Sequence, residues 1–252
     1  MLTDIPSTSE KESPMLTQDQ KAHFDAFGFI TVKQAFSVSE IHEIVDEAQR
    51  LWESNYDLAS LSLNTKFVQG IKNGDLPKTK FKEYIAQDYF FLESFARAYG
   101  LAVSKSKDKR DIKILSELLL GVSEELILHE TYAKEWEIDL TTNLIEPATK
   151  KYTDFLEDVS INLSLIEIMS AMTPCMRLYS WLGKNLLNMI SDNPYKEWIL
   201  TYADESFDNL AKSLEYLIDE YDDSYDIDQV NFLYKRAMEL ELEFFNAYSS
   251  FS

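Results

Sequence analysis

From about residue 48 onward, apolar positions recur at steps of three and four residues, with few breakers between them. That spacing stacks side chains on one face of an α-helix. It predicts consecutive helices over Thr79 to Ser104, Asp108 to Ile138, Pro147 to Leu163, Ser164 to Ile190, Pro194 to Tyr221 and Asp228 to the C-terminus. Turn-forming residues mark the joints: Asn73 to Pro77 (NGDLP), Thr141 to Asn143 and Ser191 to Asn193. No series of short alternating strands and no repeat of fixed period is present, so the fold class is all-α, a helical bundle. One helix is the natural centre. In it Ile168, Met172, Cys175, Tyr179 and Leu182 share a face that should point into the core. Pro174 removes an amide donor there and crowds the Ser170 carbonyl, which predicts a bend beside the thiol.

The first residues follow another pattern. Residues 1–14 are polar, rich in Ser, Pro and charge, and read as a disordered tail. Residues 15–47 read as an extension of helix, short strand and helix. Thr17 with Gln20 and Ser37 with Glu40 form capping boxes, Gly28 offers a stop, and Phe29 to Val32 is extended. Residues 48–252 are then the helical domain. The run from Leu16 to Leu51 resembles the N-terminal entry segment of phytanoyl-CoA dioxygenase-like proteins, which hold iron on a β-barrel through an H-x-D pair and a distant His. His23-Phe24-Asp25 matches that pair in letters, but two residues along a helix diverge, and no barrel follows. The extension is read as a packing or assembly element, or an evolutionary remnant, rather than an oxygenase.

Composition narrows the function. At 252 residues and 45% apolar content the chain can bury a sizeable core. Its formal charge of −20, from 24 basic and 44 acidic residues, repels a phosphate backbone and argues against nucleic-acid partners. A single cysteine excludes an internal disulfide framework and fits a reducing compartment, with the cytoplasm as the expected location. No signal peptide and no apolar run of membrane-spanning length is legible, so no membrane contact is expected. The acidic stretch Asp219 to Asp228 lacks the turn glycine and closing glutamate of a calcium loop and reads as a solvated connection.

Several polar residues stand where apolar ones are expected. Asp88 lies among Tyr84, Ile85, Phe91, Leu92 and Phe95 and needs a partner if buried. Glu241 and Glu243 stand among Met238, Leu240, Leu242, Phe244 and Phe245, and one of the two should face inward. Tyr152, Tyr179 and Tyr202 carry hydroxyls that need partners in a core.

Taken together, these segments resemble the TenA family, the thiaminase II or aminopyrimidine aminohydrolases. The resemblance runs from about residue 48 to 252. It is carried by FVQGI-x-NGDLP-x-x-KF-x-x-Y-x-x-QD at Phe67 to Asp88, E-x-x-x-H at Glu125 to His129, and TPC with the later Tyr179 and Gly183. P-Y-x-x-W-I-x-T-Y at Pro194 to Tyr202 and E-x-x-F at Glu241 to Phe244 complete it. It implies a heme-oxygenase-like helical bundle, assembled as a homotetramer, that converts thiamine or aminopyrimidines to hydroxymethylpyrimidine without metal or cofactor.

Under that resemblance Cys175 is the nucleophile and Glu241 a general acid and base. Asp88 accepts hydrogen bonds from the aminopyrimidine edge. Tyr152, Tyr179 and Tyr202 line the pocket, and Phe244 forms an apolar wall. Phe91 departs from the family, which commonly has tyrosine there to support the catalytic glutamate. Two other readings stand beside this one. An oxidase of the PqqC or di-metal type rests on Glu125 and His129 alone, because the remaining histidines, His23 and His42, lie in the extension. A catalytically decayed binding protein rests on Phe91.

Overall fold

The computed structural model of the protein describes residues 46–138, 140, 144–187, 192–221 and 223–251. The chain divides into two units, Met1–Ile44 and Val45–Ser252, and the described residues all belong to the second. The tail (1–14) and all of the extension (15–47) up to residue 45, with His23, Asp25 and His42, lie outside the described residues, as does the joint at Thr141 to Asn143.

Among the described residues there are ten helices: α1 (Glu47–Ser54), α2 (Tyr56–Leu63), α3 (Lys66–Asn73), α4 (Lys78–Lys105), α5 (Lys109–Glu135), α6 (Pro147–Asn162), α7 (Leu165–Leu186), α8 (Lys196–Ala203), α9 (Glu205–Asp219) and α10 (Ile227–Ala247). None of the described helices is long and apolar enough to cross a membrane.

Local chemistry sets the boundaries. Thr65 caps α3 by accepting the Val68 amide, and Gly74 ends it at φ 75°, a left-handed conformation that costs glycine little. Ser164 and Glu167 form a capping box at the start of α7. Asp226 caps α10 through the amides of Asp228 and Gln229, which gives the acidic connection a structural role.

Between Pro194 and Tyr221 the periodicity predicts one helix, and the structure has two. Asp204 is extended (φ −65°, ψ 144°) and its carboxylate accepts the Ser206 amide, so it opens a new helix at Glu205. A side-chain acceptor competing for backbone amides outweighs the continuous apolar pattern there. The last helix likewise stops at Ala247, short of the C-terminus.

Helix α7 is the axis of the bundle and packs against α4, α6, α8, α9 and α10. Of its 22 residues, 17 are buried. The face predicted from Ile168 to Leu182 is buried, and so are most of the others, as expected for a helix enclosed by neighbours. It continues without interruption through Pro174. The Ser170 and Thr173 hydroxyls bond back to the carbonyls of Ile166 and Met169, which satisfies them inside the core.

Two contacts fix what surrounds this axis. At Gly183 a β-carbon would lie 2.5 Å from backbone atoms of Tyr202 and Ala203, so only glycine lets α8 approach so closely. Asp208, buried at the start of α9, accepts from Ser180 at 2.8 Å and pairs with Lys184 and Lys212, tying α9 to α7.

Candidate active site

Cys175 is free and buried on α7, the helix against which five others pack. A cavity of about 340 Å³ opens beside it, lined by Asp88 and Phe91 of α4, Glu125 of α5, Cys175 and Tyr179 of α7, Tyr202 of α8 and Phe207 of α9, among others. Its exposed lining residues, Glu124 of α5 and Ser206 of α9, mark its mouth.

Behind the thiol lies Glu241 of α10, 1% exposed. Its carboxylate accepts the Tyr152 hydroxyl at 2.8 Å and is hydrogen-bonded to Cys175. Burial pushes Glu241 up to about 8, against the two hydrogen bonds that lower it. Burial, then the charges of Glu241, Asp88 and Glu125, holds the Cys175 thiol well above its usual range. In this acidic pocket the resting sulfur is therefore a protonated thiol, and it needs a base to become a nucleophile. Glu243 is the outward member of its pair: it meets Lys151 at 2.6 Å and Arg236 at 3.4 Å.

Asp88, 4% exposed, finds its partner in His129, whose Nε2 lies 2.8 Å from Oδ2. Burial lowers the His129 pKa, but the hydrogen bond and charge of Asp88, with Glu125 behind them, raise it overall. The other ring nitrogen faces the Glu125 carbonyl at 3.1 Å. Both nitrogens are thus engaged, which leaves neither directed at a metal. Among the described residues no group of three or more His, Cys, Asp and Glu is placed to hold one.

Gln87, beside Asp88, turns the other way. It donates to the Leu144 carbonyl and accepts the Glu146 amide, pinning the chain where it enters α6 and brings Tyr152 to Glu241. Tyr202 donates to Glu125 at 3.0 Å, while Tyr84 shares hydroxyl contacts with Tyr179 and the Trp198 indole, each at 3.3 Å. Burial and the charge of Asp88 push Glu125 up to about 7, against His129 and the Tyr202 hydroxyl.

Of the residues singled out by sequence, Asp88, Phe91, Cys175, Tyr179 and Tyr202 line the cavity. Glu241 and Tyr152 stand one layer behind it. Phe91 packs on Tyr152 with ring centroids 4.8 Å apart. Phe244, expected as a pocket wall, is not among the lining residues; it packs against Tyr84 and Tyr248 behind the site. Glu125 and His129, which the sequence offers only as an E-x-x-x-H motif and as the basis of the oxidase reading, stand at the site. Their spacing of four, which sets both on one face of α5, was the available signal.

A profile of the TENA/THI-4/PQQC family matches residues 53–250. The bifunctional TH2 protein, mitochondrial, of Arabidopsis thaliana is 32% identical over 224 residues, 79% of this chain; the match spans only 36% of that relative's length. An aminopyrimidine aminohydrolase of Halalkalibacterium halodurans is 36% identical over 184 residues, covering 70% of this chain and 79% of that one. Among solved structures, a TenA family transcription regulator from Silicibacter sp. TM1040 superposes with a TM-score of 0.76 at 25% identity, over 81% of this chain and 97% of that one. Heme oxygenase-1 of the cyanobacterium Synechocystis sp. PCC6803 shares the fold, at a TM-score of 0.50 and 16% identity over 81% and 92% of the two chains. The bundle is heme-oxygenase-like.

Proposed function

Because the chain belongs to the TENA/THI-4/PQQC family, we propose that it is a hydrolase of thiamine salvage. Its reaction is that of a cysteine-dependent aminopyrimidine aminohydrolase. It releases ammonia from 4-amino-5-aminomethyl-2-methylpyrimidine, or thiazole from thiamine, and leaves hydroxymethylpyrimidine. The observation that carries this reading is a cavity-lining thiol hydrogen-bonded to a buried carboxyl, Cys175 to Glu241, with a second carboxylate, Asp88, on the same cavity. The name and identity of the Halalkalibacterium relative support it.

In this mechanism Glu241 takes the Cys175 proton. The thiolate adds to the pyrimidine ring, and Glu241 returns the proton to the ring. The ring electrons then expel the group on the exocyclic methylene, water replaces it, and Glu241 carries the ring proton back to the sulfur as the thiolate departs. Asp88, held by His129, receives the aminopyrimidine edge, while Tyr152 keeps Glu241 aimed at the sulfur. A buried carboxyl shifted toward neutrality suits a group that must both accept and give a proton.

The test is direct. Purified protein should convert the aminopyrimidine to hydroxymethylpyrimidine with stoichiometric ammonia, and Cys175→Ser should abolish this with the fold intact. Alkylation of Cys175 should do the same, and bound pyrimidine should protect against it. Turnover that survives Cys175→Ser would refute the nucleophile.

A further inference from the structure

We propose that Glu125 is a catalytic acid of this site, dedicated to the leaving group. It delivers the proton with which the amine departs from the exocyclic methylene and takes one back from the water that replaces it. The inference rests on the proposed hydrolase reading and adds a residue and a division of labour to it.

Two carboxyls, on different helices, carry the geometry. Glu241 does not line the cavity and is occupied by Tyr152 and the thiol. Glu125 lines the cavity from α5, as Cys175 does from α7, and is held there by the Tyr202 hydroxyl. With the ring fixed between Cys175 and Asp88, the methylene substituent must meet the remaining polar wall. That wall consists of Glu125, Tyr179, Tyr202 and Thr201, with Glu124 and Ser206 exposed at the mouth.

Burial holds both tyrosine hydroxyls well above their usual range, so neither yields a proton near neutrality. Glu125, pushed up to about 7, does. A second cavity of about 40 Å³ shares Glu125, Thr201 and Tyr202 with the first. It has room for a molecule the size of water or ammonia beside the carboxyl.

The step balances. Thiolate addition places an electron pair in the ring, and that pair forms the double bond to the methylene carbon. The carbon–nitrogen bond breaks with its pair on nitrogen, and the Glu125 O–H bond breaks to supply that nitrogen with a proton. Ammonia and a Glu125 carboxylate result. Water then bonds to the methylene carbon through oxygen and returns its proton to Glu125, so no further reactant is needed.

A leaving group that departs neutral without a proton separates this role from a structural one. Glu125→Gln should slow ammonia release from the aminopyrimidine by roughly 100-fold or more. It should slow turnover of the same pyrimidine carrying pyridinium on its methylene at least about tenfold less, because only the water step still calls on the carboxyl there. Equal losses on both substrates, or no loss on either, would overturn the assignment while leaving the hydrolase reading intact. A wild type that turns over neither substrate would remove the hydrolase reading and this inference together. If the wild type accepts only the amine, Glu125→Ala with added formate decides: returning ammonia release supports the role, and its absence refutes it.

Discussion

Phe91 stands one ring away from the hydrogen bond that holds Glu241, packed on Tyr152 and facing the cavity. Because the Phe91 ring borders both the cavity and Tyr152, a tyrosine there is expected to add its hydroxyl without overpacking. Phe91→Tyr is predicted to raise the rate of hydroxymethylpyrimidine formation by up to about tenfold, the scale of one supporting hydrogen bond. Its melting temperature should stay nearly unchanged. A slower, less stable variant would place the hydroxyl against packed atoms. The two shifted carboxyls also predict the pH profile. Glu241, at about 8, must be ionised to take the thiol proton, so the rate falls as pH drops. Glu125, at about 7, must be protonated to release ammonia, so the rate falls again as pH rises. The aminopyrimidine profile should be bell-shaped, with limbs near 7 and 8 and a maximum between them. With the pyridinium substrate the basic limb should vanish, and a flat profile from about pH 6 to 9 for the amine would contradict both roles.

At the scale of elements, the contact of α7 with α8 decides where Tyr202, and through it Glu125, can be. Gly183→Ala puts a β-carbon against backbone that cannot swing aside, so α8 must retreat. The expected cost is about 1–3 kcal/mol, with lost activity because the Tyr202 hydroxyl moves off Glu125. Gly100, mid-helix in α4, is the internal control, since a β-carbon there meets nothing within 4 Å. Gly100→Ala should stabilise the protein by about 0.5–1 kcal/mol and leave turnover unchanged. Thermal melts of both variants check the contrast. The break at Asp204 belongs to this scale too, because it lets Phe207 and Leu210 of α9 turn toward the cavity mouth.

For the molecule as a whole, the site opposes stability. Glu125 and Glu241 have folded-state pKa values above those of an unfolded chain, so their protonated forms favour the fold. Their contribution is fully present below about pH 4.5 and is lost as pH rises through about 7 and 8. Asp208 works in the opposite direction. Burial would raise it, but Lys184, Lys212 and Ser180 hold it well below the usual carboxylate range, so its contribution is lost only in acid. Glu241→Gln, permanently neutral, is predicted to melt on the order of 5 °C above wild type at about pH 9, and within a degree or two of it at about pH 5. Differential scanning calorimetry at the two pH values checks this, and an equal shift at both would show that ionisation is not the cause.

The sequence by itself determined the helical period, the approximate extent of the long helices α4 to α7, and the polar residues that could not stand alone in a core. Asp88 required a partner, and one of Glu241 and Glu243 had to face inward. These are local matters, set by the 3.6-residue turn and by the cost of burying an unpaired charge. The motifs carried the family and its candidate nucleophile. Which residues meet was decided by packing between helices far apart in the chain. His129 lies 41 positions from Asp88, and Tyr152 lies 89 from Glu241. Periodicity along one helix says which face is apolar, but not which residue of another helix comes to lie against it. For that reason the layer behind the thiol, the displacement of Phe244 from the cavity and the place of Glu125 within it became visible only in the folded bundle.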